Sequence, residues 1–423
     1  MQREKSLLKT RSLHWAWIIL TICFINLFIN YSVRLGYGVI LPEMIRDLGF
    51  SRTAGGSIYN AYLMMYIVFT PLAGYLTDRY GARAVISVSL CILSIGTVLM
   101  GTVQNLSTSC LFFGIAGLGA CGLWTPVITL VQHWYDRSKR GLALGVLSTG
   151  YGAGFATIGL FFPVIVRFSN WRYAWYVMGV AALAMVAFNA LLLRSSPESV
   201  GVSPWGSANC ARSWHAHDDV DETGGSHRKL LRAVFVNKTF WIIGLSYFSI
   251  SYSLYGFTTF MIDYARTQLM LPLEQSSLLA TVHGIGQAIG VLLILPLSDY
   301  WGRRHTLLVS NFMIAVTLAG VLLLDGSAGL LFFLVGIMAL FHGATWPTYG
   351  ACAGDYFPRK FMGTVIGAWT PFYGTGAIMA HWIGGVLRDT LGTYTQAFTI
   401  NSIMALAAFI LMCAVTPTLH RNG

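Results

Sequence analysis

Residues 141–154 read GLALGVLSTGYGAG, and residues 363–376 read GTVIGAWTPFYGTG. Gly141, Gly145, Tyr151, Gly152 and Gly154 recur without a gap as Gly363, Gly367, Tyr373, Gly374 and Gly376, an offset of 222 residues. Asp78-Arg79-Tyr80-Gly81-Ala82-Arg83 likewise recurs as Asp299-Tyr300-Trp301-Gly302-Arg303-Arg304, at offset 221. A register kept over half the chain means an internal duplication. With the ends of both copies on one side, the copies are parallel repeats, and a site between them near the bilayer midplane is expected. The spacing Gly141-x-x-x-Gly145, with Gly363-x-x-x-Gly367, predicts close approach of neighbouring helices.

The duplicated material is apolar. Hydrophobic residues make up 55% of the 423 residues and charged ones 10%, against roughly a quarter charged in soluble chains. Apolar runs long enough to cross a hydrocarbon core of about 30 Å fall at 15–41, 55–76, 84–104, 108–134, 141–166, 171–193, 239–262, 277–298, 305–324, 330–352, 362–386 and 395–415. The expected fold is therefore an all-α membrane protein of twelve transmembrane helices. It divides into a six-helix bundle over 1–193, a polar linker over 194–238 and a second bundle over 239–423. A closed β-barrel would show strands of about ten residues with alternating polarity, and these runs do not alternate.

The net charge of +11 would suit a nucleic-acid binder if it were gathered on one surface. With the N-terminus inside, twenty of the 27 Lys and Arg fall in cytoplasmic segments and six on the other side. The positive-inside rule then puts both termini in the cytoplasm, so the basic balance is a topology signal and no nucleic-acid partner is expected. The multi-pass chain is expected in the cell inner membrane, in contact with the lipid bilayer. The seven cysteines sit mostly within apolar runs and imply neither disulfides nor a metal centre. The basic N-terminus precedes an apolar run too long for a signal peptide and without a small-residue cleavage site, so that run reads as a retained first helix. The linker carries Cys210, His215, His217, Asp218 and Asp219 in a spacing that fits no closed zinc site, together with a short surface helix near Lys229–Phe235. A solvated tether is the expectation, with no metal and no cofactor.

Gly74-Tyr75-Leu76-Thr77-Asp78-Arg79-Tyr80-Gly81-Ala82-Arg83 resembles the loop signature of the major facilitator superfamily, and Asp299 to Arg304 resembles its second copy. The resemblance spans essentially the whole chain. It implies alternating-access transport, with the loop Asp capping a helix end across the two halves, where a carboxylate is stabilised at a helix N-terminus. Asp78, Arg79, Arg83, Asp299 and Arg303 are thereby expected to form a cytoplasmic gate. A finer match lies in Asn30-Tyr31-Ser32-Val33-Arg34 followed by Leu41-Pro42-Glu43, which is similar to the anion:cation symporter branch. There an arginine at the place of Arg34 organises an anionic substrate, while Val33 stands where that branch carries an Asp. Ser196-Pro197-Glu198 and Asp355-Tyr356-Phe357-Pro358 look more like monocarboxylate and oxalate/formate carriers.

Independently of any resemblance, Arg34 is the one basic residue that neither side of the membrane claims. An arginine within a span costs at least ~2.5 kcal/mol on insertion scales and should face a cavity with a partner. It lies eight residues before Pro42, which places it about 12 Å from the expected outer helix end at 1.5 Å per residue. All 16 acids fall in loops or at helix ends, so no carboxylate shares its depth unless Asp263 reaches down to it. An unpaired guanidinium is a fork for a carboxylate. Asn26, Asn30 and Arg34 share one helix face, with Tyr31 and Tyr37 beside it; hydrogen bonding between helices is the plainer reading of the asparagines. Tyr151, Tyr373 and Gln287, with Tyr247, Tyr255, Trp124 and Trp346, are candidate pocket walls.

His283, His342 and His381 are candidate proton carriers, as is Asp263, since histidine titrates most readily near neutral pH. His283 leads because Gln287 lies one turn on; for each histidine a structural hydrogen bond is the plain alternative. The expectation is a monomeric secondary transporter of a small mono- or dicarboxylate, coupled to protons, with anion exchange as the other mechanism. Drug efflux would want a buried acid. A non-transporting membrane sensor would not need an unpaired arginine at depth. No nucleophile–base pair appears in any loop, so no enzyme is expected.

Overall fold

The computed structural model describes residues 14–136, 139–206, 235–324, 327–357 and 362–416. The chain is helical throughout this material. In order, the helices are α1 (Trp15–Leu48), α2 (Arg52–Tyr80), α3 (Ala82–Met100), α4 (Leu106–Ala120), α5 (Thr125–Trp134), α6 (Arg140–Phe168) and α7 (Trp171–Leu192). After the linker come α8 (Lys238–Thr267), α9 (Leu273–Trp301), α10 (Arg303–Leu322), α11 (Ala328–Tyr356), α12 (Met362–Leu391) and α13 (Thr395–Cys413).

Nine of the helical stretches described are long and apolar enough to cross a membrane, with Leu106–Trp134 behaving as one span made of α4 and α5. Three further helices, α2, α8 and α12, are 29 or 30 residues long but less apolar, with many Tyr and Thr in α2, Tyr, Ser and Thr in α8, and Gly and Thr in α12. They pack on other helices at the centre of the molecule, so lipid does not demand an apolar surface all round.

The first helix departs from expectation. Pro42 does not end it: α1 runs on to Leu48, where Gly49 turns left-handed (φ 65°) and its N–H bonds to the Ile45 carbonyl. Proline removes one donor from a helix, and a close-packed neighbour makes that loss tolerable. Arg34 therefore lies 14 residues, about 21 Å, from the end of its helix, well inside the molecule.

The duplication is visible in the packing. Gly154 brings α6 onto α1, where an added Cβ would stand 2.4 Å from the Phe28 carbonyl oxygen; Gly376 brings α12 onto α8 with the same 2.4 Å to the Phe248 carbonyl oxygen. Gly152 and Gly374, two residues earlier in each copy, instead face the other half. Gly152 lies against Gly284 of α9, and Gly374 against Ile67 of α2. The helices before the linker thus meet those after it along α6–α9, α2–α12 and α1–α8, a set that maps onto itself when the repeats are exchanged.

The expected close approach at Gly141 and Gly145 is not present. A Cβ on Gly141, Gly145 or Gly367 would meet nothing within 4 Å. These glycines sit at the ends of α6 and α12 nearest the chain termini, where the two halves stand apart. At the opposite end Gly159 lies against Ser277 and Ala280, and Gly385 against Thr53. The molecule is closed there and splayed at the terminal end.

The start of the linker is ordered. Pro197–Val200 forms a 3-10 turn, and Trp205 pairs with the chain after α5 through Trp205 N–H to the Trp134 carbonyl (2.9 Å) and Asp136 N–H to the Trp205 carbonyl (3.0 Å). Cys210, His215, His217, Asp218, Asp219 and the expected surface helix near 229–235 lie wholly or largely outside the described residues.

Candidate functional site

Arg34 sits on the inner face of α1, where α1 meets α8 and α12. Among the described residues it is the only Lys or Arg that is buried. Its NH2 donates to the Tyr255 hydroxyl at 2.8 Å and to the Tyr373 hydroxyl, and those two hydroxyls bond to each other. The rings of Tyr31, Tyr62, Tyr66 and Tyr255 lie 4.9–6.0 Å from the guanidinium carbon. Tyrosine faces attract a cation but leave its charge uncancelled. The buried Nε has no partner, and Arg34 forms no ion pair among the described residues.

Asp263 does not reach Arg34. Its carboxylate accepts from Arg52 Nε at 3.1 Å and from the Tyr394 hydroxyl at 2.6 Å. It belongs to a charged cluster at the closed end. Glu43 there pairs with Arg266 of α8 and with Arg46, and Asp389 of α12 accepts from the backbone N–H groups of Arg52 and Thr53 at 2.8 and 2.7 Å. A carboxylate so placed meets the unsatisfied donors of an α2 helix start. These contacts tie helices of the first half to helices of the second. Sequence reading missed them, although the signal was present as opposite charges at span ends.

The other expected substrate contacts divide. Asn26 exchanges two amide hydrogen bonds with Asn189 of α7, at 2.9 and 3.0 Å. Tyr37 donates to the Gly55 carbonyl at 2.6 Å and stacks on Phe113. Both are engaged within the first half and away from Arg34's hydroxyl partners. Asn30 accepts weakly from Tyr62, at 3.5 Å. Tyr31 and Tyr151 stand edge to face with centroids 4.3 Å apart. Tyr373 packs against Trp346 at 5.1 Å and Tyr247 at 5.6 Å. The tyrosines of α2 (Tyr59, Tyr62 and Tyr66) were not anticipated, though their spacing of three and four residues marks one helix face.

The three histidines are not equivalent. His381 is fully used: its Nδ1 donates to the Asn60 side-chain oxygen (2.9 Å), its Nε2 bonds to the Thr259 hydroxyl (2.9 Å), and its ring stacks on Tyr59. His283 and His342 instead form a pair, with His283 Nε2 3.2 Å from His342 Nδ1, which also contacts Gln287 Nε2 at 3.1 Å.

At the splayed end, the gate residues make no contact across the halves among the described residues. Asp78 and Arg79 are exposed, and Arg79 reaches Tyr75 and the Tyr80 ring, both on its own helix. Arg83 donates to the Ala190 carbonyl at the end of α7, and Asp299 pairs with Arg303 one turn on. The two loops are nevertheless built alike: Gly81 (φ 83°) joins α2 to α3, and Gly302 (φ 84°) joins α9 to α10.

The comparisons agree with this architecture. A bacterial homologue of the human lysosomal transporter Spinster, solved in an inward-facing, unoccupied conformation, superposes with a TM-score of 0.73 at 16% identity, over 95% of this chain and 98% of that one. A probable hexose phosphate transport protein of Chlamydia trachomatis is 24% identical over 91% of this chain and 88% of its own. The hexuronate transporter of Bacillus subtilis is 24% identical over 90% of both. The Major Facilitator Superfamily family model matches residues 23–270 and 243–422. The chain belongs to the Major Facilitator Superfamily and is a membrane transporter, not an enzyme.

Proposed function

We propose that this protein carries a small organic anion across the membrane by alternating access, with Arg34 as the carboxylate-binding group. One observation carries the reading: a buried guanidinium surrounded by tyrosines, with no carboxylate paired to it among the described residues. A cation held this way is stabilised by an incoming anion, which can take a charge-assisted, two-pronged hydrogen bond. The hexuronate transporter among its relatives handles an anion of this kind. Sequences over 1–193 and 239–423 act as two rocking bundles, with Asp78, Arg79, Arg83, Asp299 and Arg303 closing the terminal end in the other state. Both termini lie in the cytoplasm of an inner-membrane protein that works as a monomer.

The coupling we favour is proton symport. In that version a proton loads on His283, whose Nδ1 is buried without a partner, and both ligands together permit the halves to move. Exchange is a second reading, favoured by the same lack of a carboxylate at Arg34, since an empty carrier must return with an uncompensated charge. Reconstitution in liposomes separates them. Labelled lactate, pyruvate, oxalate, succinate and sugar acids are screened with an inward proton gradient or with internal unlabelled anion. Symport predicts stimulation by the gradient, and exchange predicts stimulation only by internal anion. Arg34→Gln should abolish uptake of every accepted substrate, and transport equal to wild type would remove the anion fork.

A further inference from the structure

The pair His283–His342 belongs to a cluster that Arg34 does not use. Gln287 Nε2 and His283 Nε2 both converge on His342 Nδ1, at 3.1 and 3.2 Å. An amide nitrogen is a donor only. His342 Nδ1 must therefore accept, so its proton sits on Nε2, and His283 Nε2 must donate. Four polar atoms are then left buried with no partner: His342 Nε2, His283 Nδ1, Gln287 Oε1 and the Tyr151 hydroxyl. Buried polar groups in folded proteins are nearly always satisfied, and four orphans in one cluster point to a missing ligand.

The cluster is joined to Arg34 by aromatic walls. On one side Arg34 lies 5.9 Å from the Tyr31 ring, Tyr31 lies 4.3 Å from Tyr151, and Tyr151 stands 6.2 Å from His342. On the other, Tyr373 accepts from Arg34, Trp346 is 5.1 Å from Tyr373, and His342 is 5.5 Å from Trp346. We infer that His342 and Gln287 form a second substrate pole, which recognises a hydroxyl at the end of the anion remote from its carboxylate. A hydroxyl both accepts, here from His342 Nε2–H, and donates, here to Gln287 Oε1. A second carboxylate or a phosphate only accepts and brings further negative charge, while the described interior offers no buried cation besides Arg34. The cargo is thus a hydroxylated monocarboxylate, and dicarboxylates and phosphate esters are discriminated against. A proton on His283 Nδ1 leaves both hydroxyl partners in place, so this pole is compatible with the symport version.

The inference rests on Arg34 as the carboxylate fork, and the test keeps the two apart. Proteoliposomes are assayed with matched pairs, labelled gluconate against hexanoate and 4-hydroxybenzoate against benzoate, alongside succinate and glucose 6-phosphate. The wild type should take up the hydroxylated member of at least one pair with a preference of about tenfold or more, since a site built to hydrogen-bond a group rejects the analogue lacking it. Gln287→Met and His342→Phe should each collapse that ratio toward one. A ratio measured within one variant does not depend on how much of it folds. Uptake of carboxylates without any hydroxyl preference, a ratio unchanged in both variants, or succinate or glucose 6-phosphate as the best substrate would each overturn the second pole and leave Arg34 standing. No carboxylate uptake at all would remove the fork and the pole together.

Discussion

Gly152 and Gly284 face each other across the two halves so closely that a Cβ on either would stand 2.2–2.3 Å from the other's carbonyl oxygen. Seven residues earlier on the same helix, Gly145 faces nothing within 4 Å. One glycine-rich helix thus makes a backbone-to-backbone seam at its middle and none toward the chain termini. Gly152→Ala and Gly284→Ala must push α6 and α9 apart, an overpacking cost of about 1–3 kcal/mol. Each should lower the detergent melting temperature by several degrees, whereas Gly145→Ala should not. Equal melting of Gly152→Ala and wild type would mean that the seam is looser than described.

Arg34→Lys keeps the charge but not the geometry. A single ammonium cannot reproduce the planar fork that reaches the Tyr255 and Tyr373 hydroxyls while offering further N–H groups. Losing one charge-assisted hydrogen bond costs about 1.5–3 kcal/mol, so substrate affinity should fall roughly 10- to 100-fold. Competition binding to purified protein measures this directly.

The closed end depends on three carboxylates: Glu43 on Arg266, Asp263 on Arg52, and Asp389 on the start of α2. Glu43 and Asp263 are buried, and removing one partner of a buried pair is strongly destabilising for the closed arrangement. Glu43→Gln and Asp263→Asn should therefore favour opening at that end. Phe168 and Met270, both highly exposed, carry spin labels on the two halves there. Their separation should lengthen in the variants and remain single-valued and short in the parent.

Asn26 and Asn189 bond to each other reciprocally within the first half. Asn26→Leu leaves the Asn189 amide buried and unpaired, which costs about 1–3 kcal/mol, and Asn189→Leu added to it should restore much of the loss. A thermal-stability double-mutant cycle checks this. If Asn26→Leu changes KM for the substrate without changing stability, Asn26 touches cargo.

The architecture was legible because hydropathy and repetition are local properties of a chain. The all-helical, apolar character of the chain, the duplicated glycines and the isolation of Arg34 needed no knowledge of what packs where. Pro42 misled because a proline's meaning depends on its neighbours: it reads as a helix end, yet α1 continues to Leu48. The partners of Asp263 and Glu43 were out of reach for the same reason, being set by contacts 211 and 223 residues away in the sequence. Asn26 and Asn30 looked like one stripe with Arg34, but steps of four residues drift around a helix of 3.6 per turn. The drift is enough to hand Asn26 to α7 while Arg34 points at α8 and α12. Of the histidines, only geometry could separate His381, with both nitrogens engaged, from the half-satisfied pair.

The tyrosine hydroxyls around Arg34 have a consequence for voltage. They solvate the guanidinium without neutralising it, so a carrier built this way is positively charged when vacant and electrically neutral once a monovalent anion is seated. Membrane potential acts on moving charge with about 2.3 kcal/mol per elementary charge per 100 mV. It would act on the vacant site's reorientation and, where the anion travels without a proton, scarcely on that of the loaded site. A proton carried on His283 would keep one positive charge on the loaded carrier as well. The electric field would then govern the return of an empty carrier.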